Sequence, residues 1–531
     1  MNRWLVTALL AVVMPATAPA QSPGAADSSS VIRGVLLRRY DIYSPSEVNG
    51  SLPRLANSLH FTTRASVVRR ELLFRPGQRY DSAAVAETAR NLRSLGIFRS
   101  VGIDTVRSDS GLIVRVTTGD GWSTRPITNL RITGSTWIPT LGVEELNFLG
   151  TATLVSARYR IDPDRSTLST SFRQPRLLAG RVGLTVQYSH LSDGDLGFAM
   201  INKPWFSLAG RASWQVYGEA RKETILRFLE GNPEPAITLQ RRYQLMGAAA
   251  GWALSGGTGG YFRAGLNAQV RRDDYAEATR VDSLGHTVTG AAGVFLQWRA
   301  ANFLVSSGLE GFSREEDVDV STTLGAGVQV TPQAFGYPDD GLVPYITVGT
   351  GFGRSDRFVQ LRATASGRYT AAGLDSGSVH VSATTFVLPA RRHLVVLHGA
   401  IGWQHNPAPG AEFDLGVGIG PRAFKQHAFT GDRAFFTTAE YRWTAVENFH
   451  NFTAIGLAGF LDYGGAWYEG SARRTGFDFG VGLRFGLTRA TETQSNRVDL
   501  ACRPRNERGK LECRFVLERG FAFSTTGRLD R

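Results

Sequence analysis

The sequence predicts a transmembrane antiparallel β-barrel of about sixteen strands behind a small N-terminal α+β domain. Three observations carry this. From Trp122 onward, Gly and Asp/Asn turn signals punctuate runs that alternate with a two-residue period, and no helical period intervenes. Near the C-terminus those runs are apolar on one face and carry glycine and charge on the other. Between residues 31 and 118, helical periodicities sit among strand-like runs.

The first twenty residues are set apart from the fold. Asn2 and Arg3 precede an apolar run from Trp4 to Met14, and Ala18-Pro19-Ala20 supplies a small-x-small cleavage pattern, so residues 1–20 are expected to be a signal peptide and the mature chain exported. Residues 21–30 read as a flexible leader. No later run approaches the ~20 apolar residues that a spanning helix needs, so an integral protein must be a closed barrel. The mean hydropathy of -0.14 agrees, because a barrel averages its two faces. The formal net charge is +13, and loss of Arg3 leaves +12. Lys and Arg are spread along the whole chain without a basic helix or basic-aromatic platform, so nucleic acid is not an expected partner. Anionic lipid head groups suit scattered surface arginine better; a merely solvated basic surface is the plain alternative.

Residues 31–118 read as β-α-α-β-β. Val35 to Tyr43 is a strand, and Thr62/Thr63 caps a helix from Arg64 to Leu73 with Val67, Val68 and Leu72 at helical spacing. Asp81 caps a second helix whose Val85, Ala89, Leu92 and Leu95 share a face and which Gly96 closes. Strands from Ile97 to Val106 and Leu112 to Thr117 flank a turn at Ser108–Gly111.

Residues 122–531 are expected to form the barrel. At about 25 residues per strand and turn, they make about sixteen strands. In the run beginning at Arg433, Phe435, Thr437, Ala439, Tyr441 and Trp443 share one face, and Phe436, Thr438, Glu440 and Arg442 the other. Thr453 to Gly464 and Phe477 to Gly486 repeat the pattern, with Asp462, Asp478 and Arg484 on the inward side. Charge is expensive in hydrocarbon, so that side is expected to line a polar lumen. The last strand is read as Arg514 to Ser524, with Phe515, Leu517, Phe521 and Phe523 outward and Arg519 interrupting. Cys502 and Cys513 lie symmetrically about the turn-like Asn506–Gly509 and on one face, which predicts an intrachain disulfide over the alternative of two free thiols.

The N-terminal segment resembles a POTRA domain, the periplasmic module of outer-membrane assembly proteins. The resemblance lies in Leu59–Arg64, Val68–Leu73, Pro76–Tyr80 and the run Glu87-Thr-Ala-Arg-Asn-Leu-Arg-Ser-Leu-Gly-Ile-Phe-Arg-Ser-Val101. The barrel resembles the BamA/TamA type of that superfamily. Those proteins carry an Arg-Gly-Phe/Tyr element in the loop before the fifth-from-last strand, folded into the lumen. Arg422-Ala423-Phe424 is similar to it, with Ala423 where the family usually has Gly. Glu440, and Asp462 in Phe460-Leu-Asp-Tyr-Gly464, match the family's lumen-facing carboxylates. The resemblance implies that Arg422 is held between them, a demand that a guanidinium in a narrow lumen makes in any case. Glu518-x-Gly520-x-x-Phe523 resembles the family's C-terminal insertion signal, of which Gly520, Phe521 and Phe523 are the core; here the chain continues to Arg531 rather than stopping at an aromatic.

No catalytic constellation is present: there is no Gly-x-Ser-x-Gly, His-Glu-x-x-His or Walker loop. Ser255–Gly260 is glycine-rich but leads into a strand, so it is a hairpin turn. His393 and His398 point to opposite faces of a strand and share no metal. Glu315–Asp319 reads as a solvated charge run in an external loop rather than a calcium site. No cofactor, metal or enzymatic activity is expected. What the resemblance implies is an outer-membrane protein, with its POTRA domain in the periplasm, that folds and inserts β-barrel clients or translocates polypeptide. Its partners would be outer-membrane lipid, unfolded outer-membrane proteins and accessory periplasmic proteins. A two-partner-type secretion pore and a passive porin are the alternatives.

Overall fold

The computed structural model describes residues 30–524 except 46, 49, 109–110, 134–135, 178–180, 230, 233, 278–282, 313–314, 417, 451–452, 489–493 and 505–509. The expected signal peptide, nearly all of the flexible leader, the Asn506–Gly509 turn and the terminal 525–531 lie outside the described residues.

The N-terminal domain runs β1 (Ile32–Tyr40), α1 (Ser51–Leu59), α2 (Ala65–Glu71), α3 (Ser82–Ser94), β2 (Phe98–Ser108) and β3 (Gly111–Asp120). Its sheet has the order β1-β3-β2, with β1 parallel and β2 antiparallel to β3. The expected capping of α3 holds: the Asp81 side chain accepts from the backbone of Ala83 and Ala84, and Gly96 turns out of the helix with φ +70°. Thr62 and Thr63 do not cap α2, whose N-cap is Arg64 without a side-chain hydrogen bond, because the Thr63 hydroxyl is spent on Asp120 and Asn147. The apolar stripes of α2 and α3 meet the sheet through Val67, Val68, Val85, Leu92, Val114 and Val116, all buried. Helix α1 was not expected, so the order is βαααββ rather than βααββ.

The barrel begins with β4 (Thr124–Thr133), β5 (Thr136–Glu145), β6 (Leu154–Ile161), β7 (Ser166–Leu177), β8 (Val182–Leu191) and β9 (Gly194–Lys203). It continues through β10 (Ala212–Arg227), β11 (Ile237–Gly257), β12 (Gly260–Glu277) and β13 (Ser283–Ala300). A hairpin, β14 (Phe303–Ser307) and β15 (Glu315–Asp319), then leaves the ring. The wall resumes with β16 (Thr322–Thr331), β17 (Gly341–Arg354), β18 (Arg357–Thr370), β19 (Gly373–Val387) and β20 (His393–His405). A second small hairpin, β21 (Phe413–Leu415) and β22 (Phe429–Gly431), precedes β23 (Arg433–Phe449), β24 (Thr453–Trp467), β25 (Thr475–Leu487), β26 (Asn496–Pro504) and β27 (Leu511–Arg519). Twenty of these strands form the antiparallel ring among the described residues, not sixteen. The estimate fell short because six strands fit between Thr124 and Lys203, about half the spacing assumed. Adjacent strands are joined by long ladders, whereas β27 and β4, which complete the ring, are in the thinnest contact of any neighbouring pair.

The outer face is an apolar belt. Leu141, Val143, Val216, Met246, Leu266, Val294, Tyr441, Trp443, Leu461 and Val481 are all exposed, a surface that water would not tolerate and hydrocarbon would. The inner face is not uniformly polar as expected. Val396, Ala400, Ala434, Phe436 and Ala466 point inward and are buried in an apolar cluster with Leu415 and Phe429, because the chain's own loops fill that part of the lumen. The N-terminal domain docks on one end of the barrel. Thr63 is the pivot: its backbone N–H donates to Asp120 at 2.6 Å, and its hydroxyl receives Asn147 Nδ2 at 2.8 Å. Glu71 pairs with Arg176 at 2.8 Å and Arg93 with Asp317 of the β14–β15 hairpin at 2.5 Å. Glu315–Asp319 is therefore on the domain side and engaged, not a free charge run: Glu316 also accepts from the backbone N–H groups of Leu309, Glu310 and Gly311.

Cys502 and Cys513 face each other across β26 and β27 and are joined as a disulfide. Closing a loop of this length is worth about 3 kcal/mol through the unfolded chain. The Cys502→Ser, Cys513→Ser variant is expected to keep a heat-modifiable folded band in denaturing gels, while amide exchange in residues 496–519 speeds up on the order of 100-fold, as mass spectrometry would report.

Candidate functional site

Five consecutive strands present charge inward at one level. Alternation puts Glu440 and Arg442 of β23, Asp462 of β24, Asp478 and Arg484 of β25, Arg497 and Asp499 of β26 and Glu518 of β27 on the lumen side, and all are buried. The loop between β20 and β23 brings Arg422 into their midst from the end of the barrel opposite the N-terminal domain. The guanidinium spends each nitrogen on a different strand: Nη2 donates to Glu440 at 2.7 Å, Nη1 to Asp499 at 3.0 Å, and Nε lies 3.0 Å from Asp462. Its flat face lies 3.7 Å from the centre of the Phe460 ring.

The expected brace of Arg422 by Glu440 and Asp462 is thus present, with Asp499 as a third partner. Asp499 was legible in principle, since Val498 and Leu500 face outward and the residue between them must face in. The rest of the cluster neutralises itself. Glu440 also receives Arg442 at 2.5 Å and Arg484 at 3.0 Å; Asp499 receives Arg484 at 2.5 Å and Arg497 at 2.9 Å; and Arg497 reaches on to Glu518. Asp462 and Asp478 lie directly opposite across β24 and β25, an unfavourable pairing for two carboxylates. Arg422 offsets it on one side, and the backbone N–H of Ala423, which donates to Asp478 at 2.8 Å, on the other.

Ala423 meets no conformational difficulty. The positive φ values of this loop fall on Asn406, Gly410, Gly416, Gly418, Gly420 and His427, not on Ala423, which sits fully buried. Phe424 packs on Phe429 with ring centroids 4.9 Å apart and lies under Arg503. It needs a glycine below it: a Cβ on Gly476 would stand 2.3 Å from Phe424 Cζ. Gly464, expected in the brace, serves a neighbouring purpose, since a Cβ there would press on Phe436 Cδ2 at 3.0 Å.

The loop then crosses to the far wall. His427 stacks on Phe228 at 3.5 Å and bridges Asp414 at 2.7 Å and Asp164 at 3.0 Å. Burial alone would lower the His427 pKa, but the two carboxylates outweigh it and push it up to about 9. Gln426 Nε2 also donates to Asp164, at 2.7 Å. The loop is therefore fixed at both walls and spans the lumen as a strut.

The C-terminal residues depart from expectation. Strand β27 ends at Arg519, and Gly520, with φ +68°, turns the chain inward rather than along the outer wall. Phe521 and Phe523 are buried in the lumen, not exposed to lipid. Phe521 lies 6.0 Å from Phe386 and under Arg442, and Phe523 stacks on His398 at 4.0 Å. His398 thus faces inward while His393 contacts Tyr441 outside, on opposite faces as expected.

Comparison with known proteins finds no matching family and no matching curated protein. Solved structures do match in chain path. BamA from Haemophilus ducreyi lacking POTRA domains 1-3 is 10% identical with TM-score 0.37, over 92% of this chain and 84% of that one. CdiB from Escherichia coli is 11% identical with TM-score 0.45, over 93% and 77%. CdiB from Acinetobacter baumannii is 12% identical with TM-score 0.38, over 93% and 74%.

Two outcomes are expected. Arg422→Ala leaves three buried carboxylates without their shared cation, a loss of about 3–5 kcal/mol, and should lower the temperature at which the folded band disappears in denaturing gels. Arg422→Lys should recover little, because one ammonium does not match three separated acceptors. Phe521→Ala with Phe523→Ala opens voids worth about 3–5 kcal/mol each, and should lower the temperature at which the folded band disappears in denaturing gels.

Proposed function

We propose that this protein is an outer-membrane assembly factor that folds and inserts β-barrel clients, with residues 31–118 as its single periplasmic POTRA domain. The observation that carries the reading is the strut: an Arg-Ala-Phe loop bound through three carboxylates to the last strands of a barrel whose closing seam is its thinnest contact. A passive pore has no need of such a device. The loop, the β14–β15 hairpin and the C-terminal aromatics fill the lumen, which argues against free passage through it. The chemistry proposed is noncovalent. The domain side offers a cavity of about 730 Å³ at the barrel end, lined by Arg391, Arg392, Leu394, Trp443 and Leu457, where an extended client can be received. The seam between β27 and β4 then supplies strand edges for pairing, and lipid and accessory periplasmic proteins complete the partners. No cofactor or nucleic acid enters the scheme.

The reading is tested by measuring the folding of an unfolded β-barrel client into vesicles that contain the protein, beside single-channel conductance in planar bilayers. The parent protein should speed client folding at least tenfold and conduct in small, fluctuating steps. Arg422→Ala should lose most of the acceleration and conduct in larger or steadier steps. A large, stable conductance indifferent to Arg422, without acceleration, would overturn the proposal in favour of a porin or exporter.

A further inference from the structure

We infer that α1 and the turn joining β5 to β6 form a lipid-surface contact, seated at the boundary of head groups and acyl chains beside the barrel seam. The inference rests on the reading of the barrel as membrane-embedded.

Helix α1 has two unlike sides. Asn57 ties its inner side to the domain, its Nδ2 donating to the Tyr43 carbonyl at 2.9 Å and its Oδ1 accepting from the Tyr43 backbone at 3.0 Å. On the outer side Leu55 and Leu59 are 54% and 65% exposed, and Phe61, just beyond the helix, is 62% exposed. Large apolar side chains so open to water on a short helix call for a partner. The identity of that partner follows from what the segment is bonded to. The backbone N–H of Arg64 donates to the Gly150 carbonyl at 2.9 Å and its Nε to the Leu149 carbonyl at 3.1 Å, so residues 61–64 lie against the rim turn of the barrel wall. That turn presents Phe148 and Leu149, both exposed, and Leu149 holds a left-handed backbone with φ 53° that a leucine adopts only at a cost.

The apolar surface is therefore continuous with the belt. It runs from Leu141 and Val143 on the outer face of β5, over Phe148 and Leu149 at the rim, to Phe61 and α1. A lipid layer that covers the first covers the last. Arg54 and Arg64, both exposed, flank the apolar side chains as a helix in the head-group layer requires, where phosphates accept their donors. The position is specific: β5 pairs with β4, the strand that meets β27 at the seam. The contact would hold the N-terminal domain against the bilayer and press apolar side chains into one leaflet where the wall is weakest.

The test places a single cysteine, carrying an environment-sensitive fluorophore, at Leu59, Phe61, Val481 or Arg107 in a Cys502→Ser, Cys513→Ser background. The full chain is reconstituted in phosphatidylcholine–phosphatidylglycerol vesicles with nitroxide quenchers at shallow or deep acyl positions. Val481 is exposed on the belt, and Arg107 is exposed on edge strand β2 of the domain. The labels at 59 and 61 should lose at least half of their emission to the shallow quencher and less to the deep one, with Arg107 unaffected and Val481 quenched. Labels at 59 and 61 that behave as Arg107 does, while Val481 is quenched, would overturn the inference and turn that face over to a protein partner. An unquenched Val481 would overturn the membrane reading itself, and the inference with it. If the serine background does not fold, the labels go into the parent protein, whose two cysteines are bonded to each other.

Discussion

A guanidinium with no access to water is the constraint around which the C-terminal half is built. Arg422 is buried, and the free energy of stripping it of water is recovered only if every nitrogen finds an anionic partner in the right direction. Glu440, Asp462 and Asp499 stand on three strands, so the demand of one side chain fixes the relative level of β23, β24 and β26. Buried ion clusters of this kind are weak sources of stability compared with an apolar core of equal volume, and strong sources of uniqueness. A hydrophobic loop tip would be stable at several depths in the lumen; Arg422 is stable at one.

The same cluster touches the docked N-terminal domain through a short relay. Arg93 of α3 holds Asp317, whose neighbour Val318 is buried in the apolar filling of the lumen. The hairpin's connecting segment contributes the Leu309 carbonyl to Arg442 at 3.5 Å and the Glu310 carbonyl to the Ser495 backbone at 2.9 Å. Arg442 in turn shares Glu440 with Arg422. A displacement of the domain would thus be felt at the hairpin, which has few alternative packings inside a filled barrel.

What could be read from the sequence was whatever one-sided burial or a local signal imposes. Alternation placed Glu440, Asp462, Asp478 and Arg484 on the lumen side because the opposite faces must meet hydrocarbon, and the symmetry of the two cysteines about a turn paired them correctly. The three-residue loop motif located the site although the chain puts Ala where Gly was expected. The failures are of another kind. Phe521 and Phe523 alternate as a lipid-facing strand would, and only the turn at Gly520, followed by packing against residues more than 100 positions earlier, reveals that they point inward. The apolar patch of Val396, Ala400 and Phe436 reads as a conflict with a water-filled lumen until the loops that cover it are in place. Helix α1 is too short for periodicity to mark, and its Leu55 and Leu59 face outward, against the usual sense of an amphipathic pattern.

The inward turn at Gly520 also changes what the final strand can do mechanically. At its domain-side end β27 is anchored through Phe521 and Phe523 to β19 and β20, and at its other end the disulfide couples it covalently to β26. A strand fastened at both tips has no free end from which to peel. Any parting from β4 is therefore resisted at both ends of β27, and because the disulfide couples β27 to β26, that resistance is shared by the hairpin as a unit.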